Sequence, residues 1–426
     1  MLIACIIQPS YREALAEIER ARIYAQGIEL RLDCFQEHER LPELMAQAQL
    51  PVMFTGCFSE ELLDLQPAYC DVEADVEQVA KKYPKIHWIR SYHNFEETPE
   101  DLGGLLEGMR RPWFSSYKLA LKANSTIDML RLMAFKRSCP IPLSAIAMGE
   151  WGMPSRVLGP VMGNVFDYAS SEEVGAPLCR YSLKTLHDVF RFSQLNRETE
   201  IFALIGDPVE ASIGHLFHNR EFGEQNAVYV KMRLGVGELP QFFPLIKQLP
   251  FCGLSVTMPL KEAIVPFLDE GKGAINTVLG MRGFNTDGVG ALNVIERYFP
   301  VQGKRVAILG AGGTARAIAS EAMKRGARVS IYNRTEQRAK ALAAGLGCVG
   351  GSLGEVGEYE LLINTIPGQE RLIEPTAAVM DVVYAPRETP ILRAAKERGH
   401  LCIYGEEMFY EQARLQQQLF RRAPFS

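Results

Sequence analysis

Several features are missing from this 426-residue sequence. Its nine cysteines, at positions 5, 34, 57, 70, 139, 179, 252, 348 and 402, form no C-x-x-C pair and never join histidines at zinc-ligand spacing. That excludes a zinc module, predicts no metal, and reads as reduced thiols in place of a disulfide framework. No run of ~18 apolar residues is present, so no segment is long enough to span a bilayer. The apolar N-terminal run "LIACII" is short and no basic residue precedes it, which reads as a strand and not as a signal peptide. Lysines and arginines are scattered among acids and the net charge is -5, so neither nucleic acid nor an anionic membrane is an expected partner. What remains is a soluble chain, expected in the cytoplasm, with small-molecule partners and an oligomeric state the sequence leaves open.

What is present is organised in two halves, and the length calls for two or three domains. Residues 1 to 170 carry eight short apolar runs: "LIACII", "IELRLD", "PVMFTG", "AYCDVE", "IHWIRS", "SYKLAL", "PLSAIA" and "VLGPVMGNVF". Helical patterns such as "REALAEIERARIYAQG" separate several of them. The alternation predicts an α/β fold beginning with a (β/α)₈ barrel with short loops.

Polar residues in these runs fall on particular faces. Glu29 and Arg31 alternate with apolar neighbours in the second run, Glu73 ends the fourth, His93 follows the fifth, and Lys118 lies inside the sixth. Barrel enzymes build their sites at the C-terminal ends of strands, where most of these charges lie. A lysine turned into a barrel is desolvated, which is expected to lower its pKa toward neutrality and make it a nucleophile for carbonyls. A histidine within reach of the resulting imine can remove a proton from the neighbouring carbon and hand one to a leaving hydroxyl. The chemistry predicted is β-elimination through a Schiff base.

"DVE" (71–73), "SYHNFEETP" (91–99), "YKLALKANSTID" (117–128) and "MGEWGMPSR" (148–156) together resemble type I 3-dehydroquinate dehydratase, over residues 1 to about 190. The resemblance implies that Lys118 forms the imine, that His93 is the general acid/base with Glu73 as its partner, and that Arg156 holds the substrate carboxylate. It places Glu29 and Arg31 in the polar floor; Lys122 matches no functional position of the family and reads as structural. Two motifs depart from the family. Its "FT-x-R" becomes "FTGCF", with Gly56, Cys57 and Phe58, and its "SAPGQ" becomes "GAPLC", with Gly175 and Cys179.

After "FSQLNRETE", which reads as a linker, the grammar changes. In "GKRVAILGAGGTARAIASEAMKRGARVSIYNRT" a strand runs into Gly310, Ala311, Gly312, Gly313 and Thr314, a small-residue helix follows, and then a second strand. A tight glycine turn opening a helix offers free N–H groups to a pyrophosphate. The second strand ends in Asn333, Arg334 and Thr335 with Arg338 one turn on; arginine where an NAD site would carry an acid favours the 2′-phosphate of NADP. Upstream, Lys261 and Asp287 are a candidate pair for moving a proton to or from a hydroxyl, although each also fits a cap or a turn.

"GDPVEASIGHLFHN" (206–219), "SVTMPLK" (255–261), "GAINT" (273–277), "GFNTDGVG" (283–290), "GAGGTARA" (310–317), "DVVYAPRETPIL" (381–392) and "YGEEMFYEQA" (404–413) resemble shikimate dehydrogenase in order. The resemblance implies a Lys261–Asp287 catalytic pair, a substrate ringed by Ser212, Thr257, Asn276, Tyr384 and Gln412, and approach of Gly405 and Met408 to the nicotinamide. Where the family shows S-x-S-P, Ser212 is followed by Gly214 and His215, which makes His215 a candidate replacement donor. The expected domains are a barrel at 1–195, a substrate domain at 200–295 with 390–426, and an NADP-binding Rossmann domain at 296–389. Together the halves imply a bifunctional enzyme that dehydrates 3-dehydroquinate and reduces 3-dehydroshikimate to shikimate. Two rival readings are a dehydrogenase whose barrel only docks substrate, and a sensor of pathway intermediates without catalysis.

Overall fold

In the computed structural model, described for residues 1–56, 59–172, 181–368, 373 and 375–421, the chain forms two compact units. One takes in Met1–Ile201, Phe222–Leu234 and Pro240–Phe251; the other takes in Phe202–Glu221, Gly235–Leu239 and Cys252–Ser426.

The first unit is built on β1 (Leu2–Ile6), β2 (Gly27–Arg31), β3 (Val52–Thr55), β4 (Tyr69–Val72), β5 (His87–Asn94), β6 (Ser116–Lys122), β7 (Leu143–Met148) and β8 (Asp167–Ala169). From β1 to β7 each strand pairs in parallel with the next, and β8 pairs in parallel with β1. The seam between β7 and β8 is closed by side chains. The Asn164 carboxamide accepts from Ala145 N at 3.0 Å and donates to Ala145 O at 3.2 Å, while Phe166 N donates to Ser144 Oγ at 2.8 Å. Ile3, Met53, Ile89, Ile146 and Phe166 fill the interior, as expected of a packed barrel. The expected eighth strand is corrected: most of "VLGPVMGNVF" is the helix Ser155–Met162, ended by Gly163 at φ 80, and the strand comes just after it. The run has the length of either element, and a left-handed glycine stop decides for the helix.

Beyond the barrel come β9 (Glu200–Gly206), β10 (Ala227–Arg233), β11 (Phe251–Val256), β12 (Thr277–Leu279) and β13 (Arg282–Phe284). Strands β9, β11, β12 and β13 lie side by side in that order, antiparallel from β11 onward. Then β14 (Arg305–Leu309), β15 (Arg328–Asn333), β16 (Val349–Ser352), β17 (Leu361–Asn364), β18 (Ala378–Asp381) and β19 (Cys402–Ile403) form a parallel sheet in the order β16-β15-β14-β17-β18-β19. That is the doubly wound nucleotide-binding order, whose switch point lies at the end of its first strand, here β14.

The C-terminal helix Gly405–Phe420 returns to the antiparallel sheet. The Phe420 ring packs tilted against Phe202 with centroids 4.7 Å apart, and Gly253 makes room, since a Cβ there would lie 2.8 Å from the Phe420 ring. Helix Asp287–Ile295 meets the same C-terminal helix at Gly290, where a Cβ would lie 2.9 Å from Gln412. No helix among the described residues is long and apolar enough to cross a membrane.

Candidate active sites

Strands β2, β4, β5 and β6 and the helix after β7 deliver Glu29, Arg31, Glu73, His93, Lys118 and Arg156 to one cavity of about 480 Å³. Lys118 is 5% exposed and its ammonium contacts the Asp71 carboxylate on β4, 4.8 Å from the centroid of the Tyr168 ring. Sequence reading missed Asp71. The signal was there: residues 69, 71 and 73 share one face of a strand, so an inward Glu73 implies an inward Asp71.

The expected fall of the Lys118 pKa toward neutrality is corrected. Burial does act to lower it, but the Asp71 and Glu29 carboxylates outweigh burial and hold it above the usual lysine value. Lys118 therefore rests as an ammonium, and an acceptor for its proton already touches it. His93 Nδ1 lies 2.6 Å from Glu73 Oε1. Burial, with the nearby Lys118 charge, lowers its pKa against the pull of Asp71 and Glu73, which favours a neutral imidazole able to accept a proton.

On the polar floor, Thr55 Oγ1 donates to Glu29 at 3.0 Å, and Arg31 pairs bidentately with Asp33 at 2.8 and 2.6 Å. Gly56 sits at φ 101, and a Cβ there would lie 2.7 Å from Asp33 Oδ1. The glycine is thus what leaves room for Asp33. Lys122 is not in the cavity wall; its ammonium lies over Gly149, 2.6 Å from where a Cβ would be. Cys57, Phe58, Gly175 and Cys179 lie outside the described residues.

In the second unit Lys261 contacts the Asp287 carboxylate and donates to Thr314 Oγ1 at 3.0 Å. Thr314 stands in the first turn of helix Gly313–Lys324, so the pair meets the helix opened by the glycine turn directly. Asn276 Nδ2 donates to Asp287 Oδ1 at 2.8 Å and reaches Gln412 Oε1 at 3.4 Å. Ser212 is hydrogen-bonded to the Tyr384 hydroxyl, whose pKa burial pushes up. Thr257 packs against Gly206, and its N–H donates to Ile205 O at 2.9 Å. His215 accepts at its carbonyl from Asn219 Nδ2.

The glycine turn fits a dinucleotide. Gly310, at φ 111, leaves no space for a side chain beside Thr365, whereas a Cβ on Gly312 would meet nothing, so the open face is available for close backbone approach. A Cβ on Gly313 would lie 3.1 Å from Ala274 and 3.2 Å from Lys261, and Ala311 lies beside the core of the parallel sheet. At the end of β15, Asn333 Nδ2 donates to Thr335 O, while Arg334 and Arg338 are exposed and neither forms an ion pair among the described residues. Gly405 lies beneath the carbonyls of Asp381, Val382 and Val383, and Met408 is buried in the core beside the parallel sheet.

Comparison with known proteins matches three stretches of the chain to family models. Residues 2–197 match the model of type I 3-dehydroquinase, residues 204–278 the shikimate dehydrogenase substrate binding domain, and residues 293–385 shikimate / quinate 5-dehydrogenase. The shikimate biosynthesis protein AroDE of Chlamydia pneumoniae is 35% identical, covering 98% of this chain and 94% of its own length. The chloroplastic bifunctional 3-dehydroquinate dehydratase/shikimate dehydrogenase of Arabidopsis thaliana is 30% identical over 100% of this chain and 82% of its own. A shikimate dehydrogenase (NADP(+)) of Pyrococcus furiosus is 38% identical over 50% of this chain and 86% of its own.

Proposed function

This chain belongs to the bifunctional 3-dehydroquinate dehydratase/shikimate dehydrogenase family, and from that membership we propose which of its residues perform each of the two reactions. The dehydratase is a lyase and the dehydrogenase an NADP-dependent oxidoreductase.

In the barrel, Asp71 takes the proton of the Lys118 ammonium it touches. The freed amine adds to the substrate ketone, water leaves, and an imine forms. His93, neutral and oriented by Glu73, then removes the proton from the carbon next to the imine. It returns that proton to the departing hydroxyl, so the elimination releases one water, and hydrolysis of the imine frees product and lysine. Arg156 holds the substrate carboxylate, with Glu29 and Arg31 facing its hydroxyls.

In the second unit, Gly310, Gly312, Gly313 and Thr314 would hold the pyrophosphate of NADPH and Arg334 and Arg338 its 2′-phosphate, and the bound cofactor would supply the hydride for reduction of the 3-dehydroshikimate carbonyl. The Lys261–Asp287 pair delivers a proton to the oxygen as it becomes a hydroxyl. Ser212, Thr257, Asn276, Tyr384 and Gln412 surround the substrate, and His215, beside the Gly214 that takes the place of the family's second serine, is a replacement donor.

The observation that carries this reading is the convergence of six predicted side chains, from four strands and one helix, on a single cavity. A purified chain given 3-dehydroquinate without nucleotide is expected to generate the enone absorbance of 3-dehydroshikimate, and to consume it when NADPH is added. Consumption of NADPH with added 3-dehydroshikimate, but no enone from 3-dehydroquinate, would leave the barrel as a docking module.

A further inference from the structure

Gln416 sits in "RLQQQLF", and glutamine is a residue type that is mostly exposed. The structure buries it to 3% exposure on helix Gly405–Phe420. A buried carboxamide without partners is costly, yet here both ends are used. Gln416 Oε1 accepts from Ser255 Oγ at 3.0 Å, and Gln416 Nε2 donates to Asn276 O and Thr277 Oγ1, each at 2.9 Å. Ser255 and Thr277 are paired residues of β11 and β12, so one side chain clips two strands at the point where Asn276 enters β12.

Asn276 is held at both ends as well. Its Oδ1 accepts from Thr286 N at 2.8 Å and from Thr277 Oγ1 at 2.8 Å, and its Nδ2 donates to Thr286 Oγ1 and to Asp287 Oδ1, also at 2.8 Å. With Oδ1 of Asp287 occupied, Oδ2 is the oxygen that meets Lys261. One turn earlier on the same helix face, Gln412 Oε1 lies 3.3 Å from Thr286 Oγ1. The close contact at Gly290 fixes the height of that helix against Asp287–Ile295.

We propose that Gln416 is a positioning residue of the reduction site, which through Asn276 holds the Asp287 carboxylate in register with Lys261. This rests on the assignment of Lys261 and Asp287 as the catalytic pair. Gln416 touches neither substrate nor cofactor; it acts by fixing the backbone from which Asn276 reaches the carboxylate. Buried networks of this kind restrict a side chain to one arrangement when every member is satisfied.

The test uses the full chain, in which dehydration of 3-dehydroquinate reports that the barrel is folded and the KM for NADPH reports that the second unit is. Gln416→Met keeps the volume and removes the hydrogen bonds. It is expected to lower kcat for reduction about tenfold, with KM for NADPH and the dehydration rate unchanged. Gln416→Glu keeps the acceptor for Ser255 but has no donor for Asn276 O, and is expected to fall equally far. Ser255→Ala, the milder change, is expected to cost about threefold. A Gln416→Met chain that reduces at the parent rate overturns the proposal. If Gln416→Met loses dehydration too, Ser255→Ala decides, and a parent rate there overturns it. Asp287→Asn run beside them separates the two claims. Full activity in that variant removes the catalytic pair and this role with it, whereas a dead Asp287→Asn beside a normal Gln416→Met overturns the Gln416 role alone.

Discussion

The Asp71 carboxylate on β4 and the Lys118 ammonium on β6 meet in the barrel cavity across the intervening β5, both nearly inaccessible to solvent. A buried pair of this kind is strongly coupled: removing one partner leaves the other charge without compensation. In the proposed mechanism the lysine is the group that must change its protonation state, so its counter-ion sets when it can react.

Replacing Asp71 by Asn therefore has a defined sign. Asp71 is the main influence holding the Lys118 pKa up against burial, so without it the lysine loses its proton at lower pH. The limb of the imine-formation rate profile that reports Lys118 moves to lower pH. Overall dehydration slows about a hundredfold because the resident proton acceptor is gone. Rapid-mixing measurements across pH check both, and an unmoved limb would contradict the pairing.

Gly56 is expected to resist substitution. Its φ of 101 and the Asp33 carboxylate 2.7 Å from any Cβ give Gly56→Ala a stability cost of about 1–3 kcal/mol. The displaced Asp33 releases Arg31, raising KM for 3-dehydroquinate more than it lowers kcat. Denaturant melts and steady-state kinetics measure the two effects; an Ala variant as stable as the parent would sink the explanation.

Acid sensitivity of the second unit is expected to centre on His218. It is fully buried, its Nδ1 faces Gln417 Oε1 at 2.8 Å, and burial brings its pKa down to about 4. Between pH 6.5 and 4 the unfolded chain binds a proton there that the folded chain refuses, so stability is fully present above 6.5 and is lost as pH falls. The loss amounts to about 3 kcal/mol by pH 4. His218→Gln removes this titration; comparing urea melts of the two chains at pH 7 and 4.5 tests it, and parallel losses would count against it.

Arg334 and Arg338 are expected to decide between nicotinamide cofactors. Replacing both with Ala raises KM for NADPH by about tenfold or more, from lost charge-assisted hydrogen bonds to the 2′-phosphate, and leaves NADH nearly untouched. Equal losses for the two cofactors would place the arginines elsewhere than at the ribose.

Legibility in the sequence followed periodicity. Glu29, Arg31 and Lys118 were readable because strands alternate their faces, and the nucleotide-binding turn because its glycines sit between a strand and a helix. Asp71 was hidden beside the more recognisable Glu73, although the same alternation implied it. The eighth barrel strand was misplaced because an apolar run of that length does not distinguish helix from strand. The direction of the Lys118 pKa was beyond reach, since it depends on which carboxylates surround the amine and not on burial alone. Gln416 could not be foreseen, because glutamine in a polar helix is usually exposed and only the returning C-terminal helix buries this one.

The central claim is that Lys118 forms the imine. Incubating the chain with 3-dehydroquinate and borohydride reduces any imine to a stable secondary amine, which peptide mass analysis can locate. The account predicts a substrate-derived mass on Lys118, absent from Lys118→Ala, which also fails to dehydrate while still reducing 3-dehydroshikimate. Adduct on another lysine, or full dehydration by Lys118→Ala, would contradict it.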